Sequence, residues 1–110
     1  MKTKKLRDTR GGWFVGDFPR AILRTGNAEV AIKFDRAGDR TPAHVHRRST
    51  EITAVVSGRI RLNGRRFGPG DLILIRKGEA ADYESLTDSV TVIVKTPSRP
   101  GDKHPARRRP

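Results

Sequence analysis

GDRTPAHVHRRSTEITAVVSG, residues 38–58, is the stretch whose reading decides how this chain folds. It opens and closes on glycine. Ile52–Val56 is a continuous apolar run rich in β-branched residues, which reads as a strand buried on both faces. Arg47-Arg48-Ser49-Thr50 reads as a polar turn before it, and Ser57-Gly58 as a tight turn after it. The segment ahead of the polar turn is extended, so His44 and His46, two apart, face the same side. The stretch is therefore strand, turn, strand.

The same grammar extends outward. Upstream, Glu29–Phe34 alternates polar and apolar, Trp13–Phe18 is short, aromatic and stopped by Pro19, and Ala21–Arg24 is a further short candidate. Downstream, Ile60–Leu62 leads into Asn63-Gly64, the strongest hairpin signal in the chain, read as a type I′ turn. Arg65–Phe67, Leu72–Ile75, Ala81–Ser85 and Val90–Lys95 follow, separated by Gly/Pro turns such as Gly68-Pro69-Gly70-Asp71. No window of helical length carries an uninterrupted apolar stripe. Eight to ten short strands without crossover helices predict an all-β, antiparallel sandwich or small barrel.

Length and charge set the limits. With 110 residues the chain forms one small domain with room for roughly one pocket. The absence of Cys removes disulfides, thiolate zinc sites and cysteine nucleophiles, and fits a reducing compartment. No apolar run approaches the roughly 20 residues of a membrane helix. The basic start MKTKKLRDTR lacks the apolar region of a signal peptide, so a cytoplasmic protein is expected. The net charge of +12 suggests nucleic acid, but its distribution argues against that. Residues 1–10 and 99–110 each carry five Lys/Arg and one Asp, and the 88 residues between them are only +4. The expectation is a basic N-terminal segment (1–10), an edge strand or a tail, then a β-barrel body (11–98) and a disordered Pro/Arg-rich tail (99–110). Arg107, Arg108 and Arg109 would then contact nucleic acid only non-specifically. The few aromatics are needed for the core.

Two imidazoles on one face, and Glu51 at the start of the next strand, form a candidate ligand set of two nitrogens and one carboxylate. That set suits Fe, Mn, Ni, Zn or Co as divalent ions. It is the donor set that non-haem Fe(II) oxygenases use, and equally a Lewis-acid site for polarising a carbonyl or activating water. Trp13 and Phe14 read as core or interface residues, with stacking on a ligand as the sharper alternative. Arg59 and Arg61 fall on the face opposite Ile60 and Leu62, and His104 falls in the tail.

Gly38, five residues, His44-x-His46, four residues, Glu51, six residues, Gly58: this spacing resembles the first motif of the cupin superfamily, and the resemblance runs over residues 28–95. Gly70-Asp71, Leu72–Ile75 and Gly78 match part of the second cupin motif. Arg76 stands where that motif has Pro, and Ala81 stands where its fourth metal ligand, a His, is expected. Asp82, one position later, is the remaining candidate ligand and would need a β-bulge to turn inward. Tyr83 and Glu84 are further candidate pocket residues without an assigned role. The resemblance implies a jelly-roll, double-stranded β-helix barrel, and a homodimer. It also implies a small-molecule ligand such as a small acid, sugar or nucleotide sugar, met at a metal held by His44, His46 and Glu51, with Asp82 as the candidate fourth ligand outside the family's pattern. Two other readings stay open: a binding or sensing module without turnover, and a metal-independent isomerase or epimerase using His44 or His46 as base.

Overall fold

The computed structural model describes residues 1–106. Among these residues ten strands run β1 (Trp13–Val15), β2 (Glu29–Asp35), β3 (Arg40–His46), β4 (Thr50–Ser57), β5 (Ile60–Leu62), β6 (Arg65–Phe67), β7 (Leu72–Ile75), β8 (Ala81–Ser85), β9 (Ser89–Thr96) and β10 (Lys103–Pro105). They form two five-stranded sheets with the orders β1-β2-β9-β4-β7 and β10-β3-β8-β5-β6, and every pairing between them is antiparallel. Consecutive strands mostly alternate between the sheets, which makes the double-stranded β-helix. No helix is long and apolar enough to cross a membrane.

The turns behave as their residues dictate. Asn63 and Gly64 both take positive φ (50° and 79°), the type I′ pattern that joins β5 to β6. Gly58 has φ +78°, and a Cβ there would stand 2.2 Å from the Asp88 carbonyl oxygen. The chain crosses itself too closely at that point for any side chain.

Side-chain alternation sorts the molecule along its length. The inward face of β4 runs Glu51, Thr53, Val55. Val55, Ile60 and Leu62, with Phe67, Ile73 and Tyr83 packed on them, form the apolar core at one end. The Glu51 end opens instead into a cavity of about 1150 Å³. Polar groups buried between the two are satisfied internally. Ser85 Oγ meets Ser89 Oγ at 2.6 Å, and Tyr83 Oη donates to Asp35 Oδ2 at 2.8 Å.

Four expectations need correcting. Residues 99–106 are not a disordered tail: Lys103–Pro105 pairs with His44–His46, and Asp102 is buried. Backbone pairing to an edge strand, which composition does not reveal, holds that segment. Arg107, Arg108 and Arg109 lie outside the described residues. The N-terminal segment forms a 3-10 turn at Leu6–Asp8 rather than an edge strand. Ala21–Arg24 forms no strand and contributes only the isolated bridge between Leu23 and Val15. Finally, Ile52–Val56 is not buried on both faces, and its neighbour Leu72–Ile75 likewise leaves one face open. Leu72 is 74% exposed, Val56 55% and Leu74 47%.

Candidate metal centre and cavity

The local folding of β3 brings the two histidines inward. A bulge between Thr41 and His44 puts three residues of β3 against two of β8, and restores register at the His44–Ala81 pair. His44 and His46 then present their rings to each other edge to face, with centroids 5.1 Å apart. The Gly78 N–H donates to the His46 carbonyl at 2.7 Å and pins the backbone at that point.

Both imidazoles are oriented through the same atom. His46 Nδ1 lies 3.2 Å from the Asp102 carbonyl oxygen, and His44 Nδ1 lies 3.0 Å from that of Pro42. A carbonyl only accepts, so in the neutral ring each Nδ1 carries the hydrogen and each Nε2 keeps its lone pair. His46 Nε2 is buried and has no hydrogen-bond partner among the described residues. It faces Glu51 Oε1 at 3.6 Å. Burial, and then the Lys95 charge, hold the His46 pKa below 6.5, so the ring is neutral near pH 7. The other Glu51 oxygen accepts from Thr53 Oγ1 at 3.3 Å.

These donors fit a metal ion chemically. An orphaned, buried, neutral Nε2 opposite a carboxylate is a group in want of a cation. Bonds of about 2.0–2.2 Å place two ligands of one ion roughly 3–3.5 Å apart, close to the separation of His46 and Glu51. Among the described residues, however, no three His, Asp or Glu side chains stand as a ready-made metal-holding cluster. His44 is the half-buried member of the set.

Asp82 is not brought to the imidazoles. It borders the cavity, but Oδ1 accepts the Asn63 N–H at 2.8 Å, while its own N–H donates to Asn63 Oδ1 at 3.0 Å. The expected bulge at Asp82 is absent because the irregularity falls on β3 instead. The Asp82 carboxylate thus braces the β5–β6 turn, and buried Ala81 occupies the position facing His44. Tyr83 borders the cavity. Glu84 points away from it, to Arg40 at 3.2 Å and to Arg61.

Lys95 and Asp102 escape sequence reading, whereas Trp13 reads as a core, interface or ligand-stacking residue. Lys95 sits opposite both Glu51 and Glu29 in the sheet, with Nζ 4.7 Å from the centroid of the Trp13 ring. Trp13 itself borders the cavity. Asp102 accepts the backbone N–H groups of Arg47, Arg48 and Ser49 at 3.1, 2.9 and 3.0 Å, and so fixes the turn joining the His46 strand to the Glu51 strand. Only strand pairing makes these neighbours, and the sole sequence hint was the alternation that turns Thr91, Ile93 and Lys95 to one side.

The chain matches no family model. It is 35% identical over 82 residues to the anti-sigma-E factor ChrR of Cereibacter sphaeroides, and the match covers 74% of this chain and 35% of that protein. The chain thus spans about a third of the length of that relative. A double-stranded β-helix protein from Klebsiella pneumoniae superposes with a TM-score of 0.72 at 19% identity, over 97% of this chain and 93% of its own. The fold is the double-stranded β-helix of cupin proteins. KdgF from Halomonas shares 26% identity with this chain at a TM-score of 0.63, over 69% of this chain and 74% of that one. A cupin-superfamily sugar phosphate isomerase from Silicibacter pomeroyi gives a TM-score of 0.60 at 20% identity, over 66% and 52% of the two chains.

Proposed function

We propose that this protein binds a divalent transition metal through His44, His46 and Glu51, and there binds or transforms a small molecule. The observation that carries the reading is His46 Nε2: buried, neutral, without a partner and aimed at Glu51 Oε1. Fe, Mn, Ni, Zn and Co all accept this donor set. A bound ion would supply Lewis acidity or redox chemistry with coordination positions open, since Ala81 provides no fourth side chain. The chain's own contributions are distinct from that. Asp102 and Pro42 fix the tautomers through their carbonyl groups. Thr53 orients the Glu51 carboxylate. Ile75, Ile93 and Leu62 give the cavity wall its apolar part. The proposed ligand classes are small acids, sugars and nucleotide sugars.

A second reading is a sensing domain without turnover. The likeness to an anti-sigma factor over three quarters of this chain favours it. The test is to load the protein with each of the five metals and incubate it with small acids and sugar phosphates, following both binding and product. Product that disappears in His46→Ala supports an enzyme. Saturable binding with every compound recovered unchanged supports the sensor. Neither binding nor product from any of them contradicts both readings.

We also propose that two copies pair through the outer face of the β1-β2-β9-β4-β7 sheet. Phe34, Ile52, Val56, Leu72 and Leu74 are exposed there, at 40 to 74%. Register joins them through Val92 and Val94 into one apolar surface. A face of that kind on a small domain marks an interaction site.

A further inference from the structure

The cavity holds an imbalance of charge partners. Its carboxylates are engaged: Glu29 with Ser98 Oγ and the Arg99 N–H, Asp35 with the Tyr83 hydroxyl, Asp39 with the Arg36 N–H, Asp82 with Asn63, and Glu51 with Thr53. Among its cations, Arg40 is paired with Glu84 at 3.2 Å. Lys95 is not paired. It is half-buried on the inner face of β9, and no carboxylate of the described residues comes within ion-pair distance of it. Its Nζ stands 4.7 Å from the centroid of the Trp13 ring.

The Lys95 ammonium has no hydrogen-bond acceptor among the described residues, and it faces the cavity. Trp13 gives only a cation–π contact, which leaves the N–H donors of Lys95 to be satisfied from the cavity. The β1 segment is placed to allow this. Trp13 pairs with Ala31, which is fully buried and small, so the indole lies over the inner face of the sheet beside Lys95. Gly12 permits the approach, since a Cβ there would stand 2.1 Å from the Ile32 carbonyl oxygen. Lys33 folds toward the same place. A Cβ at Gly11 would lie 3.6 Å from Lys33 Nζ and 3.9 Å from the Trp13 ring.

We infer that Lys95 is the anion-binding group of the cavity, and that it takes the carboxylate of a small organic acid whose body lies against Trp13. Lys95 pairs in register with Glu51, so an acid held there has its remaining atoms beside His46 and Glu51. Arg10, Arg20, Lys33 and Lys103 also border the cavity, but Lys95 is the cation that stands both over the Trp13 ring and opposite Glu51. This inference deepens the small-molecule reading above and rests on it, but the Lys95 contact needs no metal.

The experiment exploits the single tryptophan of the chain, Trp13. Glycolate, lactate and butyrate, each beside its neutral amide, are titrated into the full chain with and without EDTA while Trp13 fluorescence is followed. Inorganic phosphate forms a separate arm. The expected result is that at least one acid binds with EDTA present and that its amide binds roughly tenfold to a hundredfold more weakly. Lys95→Met should show the same loss for the acid, with its metal content unchanged, and Lys95→Arg should recover much of the affinity. Lys95→Gln is the second neutral variant if Lys95→Met melts early. The inference is overturned if acids and amides bind alike, if the neutral variants bind as the wild type does, if phosphate binds more tightly than every acid, or if no acid binds. Acid binding that survives EDTA in a protein found to take up no metal would leave the inference standing and remove the metal reading.

Discussion

Neutral imidazole is the form that ligates a metal, and His46 is kept in that form by burial first and by the Lys95 charge second. The same atoms make the fold sensitive to acid. The folded pKa of His46 lies below 6.5, so the unfolded chain takes the proton first. The stabilisation is present above 6.5 and is lost as pH falls through the lowered folded value. Thermal melts from about pH 7.5 to about pH 5 should show a falling midpoint, and His46→Gln should flatten that dependence. An unchanged slope in the variant would mean that another group carries it. His44, His46 and Glu51 were legible in the sequence because alternation puts the two imidazoles on one face and their spacing to Glu51 resembles the first cupin motif. Lys95 was not legible, since nothing local distinguishes a lysine near a strand end from a solvated one. Its meaning comes from β9 lying between β2 and β4. Asp82 misled for a related reason: which strand of a pair takes the bulge depends on the partner, here β3.

Among the elements, β10 does the most that composition hides. The stretch Arg99–Ala106 is polar and Pro-containing, yet it pairs with β3 behind the two histidines and carries Asp102 into the turn at Arg47–Ser49. Burial works against the Asp102 charge, but three N–H donors outweigh it and hold its pKa below 3.8. That stabilisation is present above 3.8 and is lost as pH falls through the depressed folded value. Asp102→Ala leaves these donors without their acceptor, and at neutral pH should cost about 2–3 kcal/mol, read by urea unfolding. A cost near zero would show that water replaces the carboxylate there. Removal of residues 99–110 should cost more, because the edge pairing goes with it. The strands β2, β4, β7 and β9 were readable because each carries a run of β-branched or alternating residues bounded by turn residues. Burial on each face was harder to read. A continuous apolar run looks the same whether its outer side meets protein or solvent.

At the scale of the whole molecule, that outer side has its own consequence. Leu72 is 74% exposed and Phe34 69%, on a sheet whose central strands turn Val92, Val94 and Ala54 the same way. Covering such a surface with a second copy removes apolar area from water at roughly 25 cal/mol per Å². Sedimentation of the wild type should give a dimer, and Leu72→Glu with Phe34→Asp a folded monomer. A monomeric wild type would contradict the pairing. The fold also explains why the cavity lies where it does. Both sheets converge on apolar residues at the Val55–Ile60 end, and at the other end the inward positions belong to His46, Glu51, Thr53 and Lys95. The most direct test of the metal centre is elemental analysis of untagged protein beside the His44→Ala/His46→Ala double variant. Each is incubated with Fe(II), Mn(II), Ni(II), Zn(II) and Co(II) and then freed of excess. The account predicts about one equivalent of metal per chain in the wild type, lost from a variant that still melts cooperatively. No metal retained by the wild type, or equal retention by both proteins, would contradict it.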